Sequence, residues 1–218
     1  MLQILLKDRW LLVSFDEFQE TRSWAIYGGP RKITQKVVWY QVQKGDLNVS
    51  VDAKEFSKHL FVQNSFENAV GLLTGAFLNH YADVQKTDGD LSVRSIGTVG
   101  MENALRVGDP LGQLESVGTI NLLCAISVPL TEEAFLEAMS LVVEARTAAV
   151  LAFDISSSQT GLPATGTGTD CIVVAAPAVS NVSPLEFAGK HTRVGSLIGG
   201  SIFEIMSQAL HSCSNIRR

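Results

Sequence analysis

Six consecutive residues, Thr165-Gly166-Thr167-Gly168-Thr169-Asp170, place three hydroxyls, two glycines and one carboxylate directly before the apolar run Cys171-Ile172-Val173-Val174-Ala175-Ala176. Threonine hydroxyls both donate and accept hydrogen bonds, and glycine lets a backbone approach a ligand closely. A buried strand behind such a turn would hold these groups rigidly, as a preorganised polar site requires. Further on, Ala188-Gly189-Lys190-His191-Thr192 opens a helix. Read as one site, the two turns supply groups for acid–base and nucleophilic chemistry: a nucleophile, donors that could stabilise an oxyanion and a transferable proton. Asp170 and His191 are the expected catalytic pair. The positive end of the helix dipole favours a neutral, base-competent His191, and Asp170 would orient it or hold an attacking water. The N–H groups of Gly166 to Gly168 are the expected oxyanion donors, and Lys190 would meet a peripheral carbonyl or the leaving group. Thr165, Thr167 and Thr169 are alternative nucleophiles. Cys171 is a weaker one, because an apolar strand raises a thiol pKa. The bland alternative is that these polar side chains only cap their own turns.

The familiar nucleotide and hydrolase signatures are absent. Gly189-Lys190 is not a Walker A lysine, since Pro184 stands where the first glycine must be, and the glycines at 161–168 lack dinucleotide spacing. No HExxH, CxxC or Gly-x-Ser-x-Gly occurs. Cys124, Cys171 and Cys213 share no metal-ligand spacing, and an odd count without CxxC points to a reducing compartment. Net charge is −5 with no arginine-rich stripe, which argues against nucleic acid as a partner. Met1 to Leu6 is too brief an apolar stretch for a secretory signal, and no run reaches the roughly 20 apolar residues of a membrane span. The expectation is a cytoplasmic protein without membrane or nucleic-acid partners. A homo-oligomer stays open.

The elements that must position the site follow from pattern. The chain has 218 residues, 46% of them apolar and 18% charged, enough for a sizeable core in one domain spanning 1–218. Extended segments are expected at 10–15, 22–27 and 33–43, the second stopped by Gly28-Gly29-Pro30. Asp52 is placed to cap a short helix to about Leu60, with Glu55 completing a capping box. Asp88-Gly89 is a hairpin signal. With Thr87 opposite Asp90, Val84 faces Val93, Asp83 faces Arg94, Tyr81 faces Ile96 and His80 lies opposite Gly97. The arms run back toward Gly71-Leu72-Leu73-Thr74 and forward to Gly97-Thr98-Val99-Gly100, so these two Gly/Thr segments should meet. Ile120 to Val128 reads as a central strand buried on both faces.

Thr131 caps a long helix to about Val150, and a second amphipathic helix runs from about Thr192 to Leu210. On the first, Arg146 sits about 200° around from the polar stripe that includes Glu144. It leaves the apolar side beside Val142, Val143 and Ala149 and therefore needs a partner. That partner is either a structural carboxylate or a ligand. Between Asp154 and Glu186 the lone charged residue is Asp170. The expected fold is α/β: a single layered domain with a largely antiparallel or mixed β-sheet and the two long helices packed on it.

Together the segments Gly71-Leu72-Leu73-Thr74, Thr98 to Ala104 with Gly108-Asp109-Pro110, Gly118-Thr119-Ile120-Asn121-Leu122, Glu144-Ala145-Arg146, Ala164 to Asp170 and Ala188 to Thr192 occur in one order. That ordered set resembles the adenosylcobinamide amidohydrolase family. Ser23-Trp24-Ala25-Ile26-Tyr27 departs from the family pattern. The resemblance implies hydrolysis of the amide joining the aminopropanol arm to the corrin ring, giving adenosylcobyric acid for cobalamin salvage. For that amide, catalytic roles are expected for Asp170, His191, Thr169 and Lys190. Substrate contacts are expected at Thr165, Gly166, Thr167, Gly168, Thr98, Gly100, Asn103, Asp109, Asn121, Glu144 and Arg146. The cobalt would arrive within the corrinoid substrate, so the protein itself is expected to need no cofactor or metal. A non-catalytic corrinoid-binding protein and an amidase for another small molecule are the alternatives.

Overall fold

The computed structural model describes residues 2–43, 45–47, 51–112 and 118–216, with side chains described through Ser212, so Cys213 lies outside them. The strands are β1 (Leu2–Lys7), β2 (Trp10–Ser23), β3 (Arg31–Gln41), β4 (Val70–Thr74), β5 (Ala82–Asp88), β6 (Leu91–Val99), β7 (Ala104–Leu105), β8 (Ile120–Ile126), β9 (Gly166–Thr167) and β10 (Cys171–Pro177). The helices are α1 (Ala53–Gln63), α2 (Glu132–Ala152) and α3 (Arg193–Ile216), and a 3-10 turn covers Leu78–His80.

The main sheet runs β4-β3-β2-β10-β8-β6-β5, and β1 pairs with the N-terminal half of β2. Two pairs are parallel, β3 with β4 and β8 with β10; the rest are antiparallel. The fold is the mixed α/β arrangement expected, with α2 and α3 on one face of β5, β6, β8 and β10.

The opposite face of those strands is covered by the sheet itself. Pairing of β2 with β3 breaks register between Ser14 and Gln19. Such an irregularity bends and twists a strand. Beyond it, Leu11 and Val13 of β2, Val37 and Trp39 of β3 and Leu72 of β4 pack onto Ile96, Leu123 and Val173 of the central strands. The outer face of β3, through Val38 and Tyr40, then receives α1 through Phe61. The layers run helix, sheet, sheet, helix. The curl brings β4 over β6 and β8, although several strands separate them in the sheet. Asn121 Nδ2 donates to the Leu73 carbonyl at 2.8 Å, and the Thr98 hydroxyl donates to Thr74 Oγ1 at 3.4 Å. The two Gly/Thr segments do meet, through this curl.

Both expected N-caps form. Asp52 accepts from the N–H groups of Lys54 and Glu55, and Thr131 accepts from that of Ala134. The hairpin needs correction. Asp88 pairs with Leu91, so Gly89-Asp90 forms the turn, with Gly89 at φ 60. Val84 faces Ser95, Asp83 faces Ile96 and Ala82, not His80, faces Gly97. A shift of two residues keeps every side chain on its face. Asp83 and Arg94 therefore still form an ion pair at 2.7 Å, now diagonally. The tip is held by Arg193, whose Nε donates to Asp88 at 2.7 Å. The segment 24–27 is not a strand; β2 ends at Ser23.

Gly71 shows how tightly α1 is seated. A Cβ built there would lie 2.5 Å from the Phe61 ring, which is fully buried against the strand. Gly71→Ala is expected to lower unfolding free energy by about 1–3 kcal/mol, the usual cost of overpacking, measured by urea titration. A midpoint equal to wild type would show that Phe61 can move aside freely.

Candidate active site

β8 and β10 are parallel neighbours with Asn121 opposite Cys171, so their N-terminal ends emerge side by side. Asp170 lies just before β10, alongside Ile120, and its Oδ1 accepts the Ile120 N–H at 3.2 Å. The preceding turn folds back onto the same carboxylate. The Thr167 N–H reaches Oδ2 at 3.0 Å and the Thr167 hydroxyl reaches Oδ1. From α2, Arg146 Nη1 donates to Oδ2 in a close ion pair, with the side chains 12% and 10% exposed. Burial lowers the arginine pKa from its ordinary value, but a guanidinium stays charged in proteins. Gly166 makes this possible, because a Cβ there would collide with both Arg146 Nη1 and Asp170 Oδ2. On the other side, the Trp24 indole N–H donates to the Asp170 carbonyl at 2.7 Å.

Beside this pair lies a cleft of about 240 Å³ between the central strands and the curled β4 end. Trp24, Ile26, Val42, Leu47, Leu72 and Leu73 give it apolar walls. Its polar lining is Thr74, Thr119, Asn121, Thr169 and Asp170. Thr169 donates to the Gly118 carbonyl at 3.1 Å, so in the Thr119–Thr169 hydroxyl contact the proton must come from Thr119. Thr74 Oγ1 accepts from the Ala76 N–H at 3.1 Å as well as from Thr98, and its own proton has no acceptor among the described residues. Asn121 is 1% exposed; with Nδ2 bound to Leu73, its Oδ1 is left without a partner among the described residues. Cys171 also lines the cleft, and burial pushes its thiol up to about 11 against the opposing Ser23 hydroxyl.

The structure brings together part of the expected set. Asp170, Arg146, Gly166 and Thr167 converge, and Thr169 and Asn121 join them at the cleft. Thr98 is buried behind Thr74, and Gly100 donates its N–H to the Thr119 carbonyl at 3.0 Å. Thr165 faces outward from the turn, where its Oγ1 accepts the Val107 N–H at 2.8 Å. Asp109 serves the neighbouring loop, accepting from Ser157, Thr160 and the Arg106 N–H; the Ser157 bond foremost depresses its pKa. Asn103 is buried beside Gly118, with an unpartnered Oδ1.

The expected partnership of Asp170 with His191 is not formed. His191 is exposed, and the Ala188–Thr192 turn is fastened to the outside of α2. Ala188 N–H donates to Glu137 at 2.6 Å, and Lys190 donates to Glu144 at 2.6 Å in a largely exposed pair. Nor is the Thr167 N–H a free oxyanion donor, since Asp170 takes it. Sequence reasoning missed Trp24, Thr74 and Thr119. The last two stood within Gly/Thr segments already singled out, but their cleft-facing role depends on the sheet curling.

Among the described residues no group of three His, Cys, Asp or Glu side chains is placed to hold a metal, and no described helix is long and apolar enough to cross a membrane. Fold and cleft thus define a mixed α/β protein with a small, largely neutral site whose lining includes a hydroxyl donor and a buried amide oxygen that have no partner among the described residues. A family model described as adenosylcobinamide amidohydrolase matches residues 2–218, and the chain belongs to that family. A curated relative, the uncharacterized protein MJ1613 of Methanocaldococcus jannaschii, is 29% identical over 164 residues, 66% of this chain. The match spans 63% of that relative's length. Among solved structures, the PH0078 protein from Pyrococcus horikoshii OT3 aligns at TM-score 0.42 and 11% identity, over 96% of this chain and 82% of that one. The L-aminopeptidase D-Ala-esterase/amidase from Ochrobactrum anthropi aligns at TM-score 0.40 and 11% identity, over 96% and 81% respectively.

Removing one member of a buried ion pair strands the other. Arg146→Met or Asp170→Asn alone is expected to cost about 3 kcal/mol, and the double variant less than the sum of the two. Chemical denaturation of the four proteins measures this. Additive losses below about 1 kcal/mol each would place the pair among surface bridges.

Proposed function

We propose that the chain hydrolyses the amide joining the aminopropanol arm to the corrin ring of adenosylcobinamide, yielding adenosylcobyric acid for cobalamin salvage in the cytoplasm. The family is an amidohydrolase family. The observation that carries the specific reading is the cleft floor. A secondary amide presents one acceptor, its C=O, and one donor, its N–H. The Thr74 hydroxyl proton and Asn121 Oδ1 are the unused complements of those two groups.

In this reading Thr74 donates to the carbonyl oxygen and continues to do so as negative charge develops there. Asn121 accepts from the amide N–H and fixes its plane. Thr119 and Thr169 form a hydroxyl chain beside the scissile bond. Water adds to the carbonyl carbon, the C–N bond breaks, and the amine leaves after gaining a proton. Asp170 is a positioning residue. Its two oxygens already accept from Arg146, Ile120 and Thr167, which holds the Thr169 segment in place. That saturation also favours a second reading, a protein that binds a corrinoid without cutting it, because among the described residues no uncommitted carboxylate lines the cleft.

The deciding experiment is incubation with adenosylcobinamide and detection of cobyric acid by mass; binding without product supports the second reading. For the first, Thr74→Val is expected to lower kcat/KM about 10²–10³-fold, the size of a lost oxyanion donor. His191→Ala should stay within a few-fold of wild type. A collapse of activity in a correctly folded His191→Ala variant would return the chemistry to the Ala188–Thr192 turn. Because its thiol is pushed up to about 11, Cys171 stays protonated at neutral pH, and iodoacetamide at pH 7.5 should leave turnover unchanged. Stoichiometric loss of activity with label on Cys171 would make it the nucleophile instead.

A further inference from the structure

We infer that the cleft admits only the amide-bearing arm of its corrinoid, and that the macrocycle stays outside, lying against the face of Trp24. This rests on the corrinoid reading above and specifies how the ligand divides between cleft and surface. The cleft measures about 240 Å³. Pockets that engulf a drug-sized ligand run to roughly 300–1,000 Å³, and a corrin with its fringe of amides is larger than such a ligand. The unused donor and acceptor sit on the floor, so the amide goes in and the ring cannot follow.

The mouth is built for a flat apolar object. Trp24 and Ile26 line the cleft and are also 48% and 36% exposed. Ala25 between them is buried, and its N–H is tied to Ser23 Oγ at 2.9 Å. Ser23 Oγ in turn donates to the Ile172 carbonyl at 2.7 Å. One exposed aromatic is ordinary on a protein surface. Here its polar edge is pinned to the Asp170 carbonyl and the segment is stitched to β10, so the ring is oriented before any ligand arrives. A rigid tryptophan loses little entropy on stacking and offers a large contact area.

The test separates ring from arm by using two ligands, the substrate adenosylcobinamide and the armless product adenosylcobyric acid. Equilibrium dialysis followed by corrin absorbance gives Kd for the product, and turnover gives KM and kcat for the substrate. Trp24→Ala is expected to weaken product binding about tenfold or more and to raise KM by a similar factor, with kcat within about threefold. Trp24→Phe, which keeps a ring but loses the indole N–H, restores most of the affinity. Thr74→Val leaves product Kd within about threefold, because a hydroxyl on the floor does not meet the ring. Unchanged product Kd in Trp24→Ala overturns the inference while leaving the amidohydrolase reading intact. Equal weakening by Thr74→Val and Trp24→Ala overturns it too, by putting the ring inside the cleft. Should wild type bind adenosylcobinamide without cutting it, substrate Kd replaces KM in the same comparison. Should it neither bind nor cut, the corrinoid reading falls and this inference with it.

Discussion

Burying a guanidinium and a carboxylate together is costly unless their remaining hydrogen-bonding capacity is satisfied. At Arg146 and Asp170 the carboxylate side is fully used. Its oxygens take Arg146, the backbone of β8 and both donors of Thr167, while its own carbonyl takes Trp24. Five contacts therefore fasten α2, β8, the Gly166–Thr169 turn and the Trp24 segment to one residue at the start of β10. The arginine side is less complete, since its Nε is buried without a partner among the described residues. The turn must carry glycine at 166 because the ion pair occupies the volume of a side chain. Gly166 and Thr167 of this stretch are thus explained by an ion pair, before any ligand is considered.

Much of this could be read from the chain, and the part misread is informative. An arginine leaving the apolar side of a helix demands an anion, and Asp170 is the lone charge in a long neutral stretch. Both facts are visible in sequence, and joining them gives the ion pair. Dipole reasoning instead drew Asp170 toward His191, although a helix start on the surface needs no buried partner. Caps, long helices and the buried strand at 120–126 were legible because local pattern determines them. The hairpin register slipped by two residues, which binary pattern cannot detect because it preserves every face. The curl of the sheet was not legible at all. It depends on an irregularity between Ser14 and Gln19 and on pairings across most of the chain. The cleft exists only because of that curl, so Trp24, Thr74 and Thr119 could not be assigned to it beforehand.

Pairing the one charged group of the described cleft lining, Asp170, with Arg146 has a chemical consequence. Among the described residues the formal charges closest to the site, Arg146 and Asp170, neutralise each other, and the floor presents neutral hydroxyl and amide groups. A ligand rich in amides binds such a floor without stripping a charged group of water, which would be expensive in a partly closed space. In the amidohydrolase reading the same arrangement distinguishes substrate from product. In the amide, Asn121 Oδ1 meets an N–H. After hydrolysis a carboxylate oxygen stands there, and two acceptors face each other with no proton between them. An unpaired acceptor in a buried setting is destabilising by about 1–3 kcal/mol, so in this reading the acid is released from the floor while the ring contact outside is unchanged. Asn121 can impose that bias because its Nδ2 is held by the Leu73 carbonyl, which prevents the amide from flipping to offer a donor. The curl that brings β4 over β8 thus builds the cleft and also ties down the Nδ2 end of Asn121, which in this reading leaves Oδ1 for the amide.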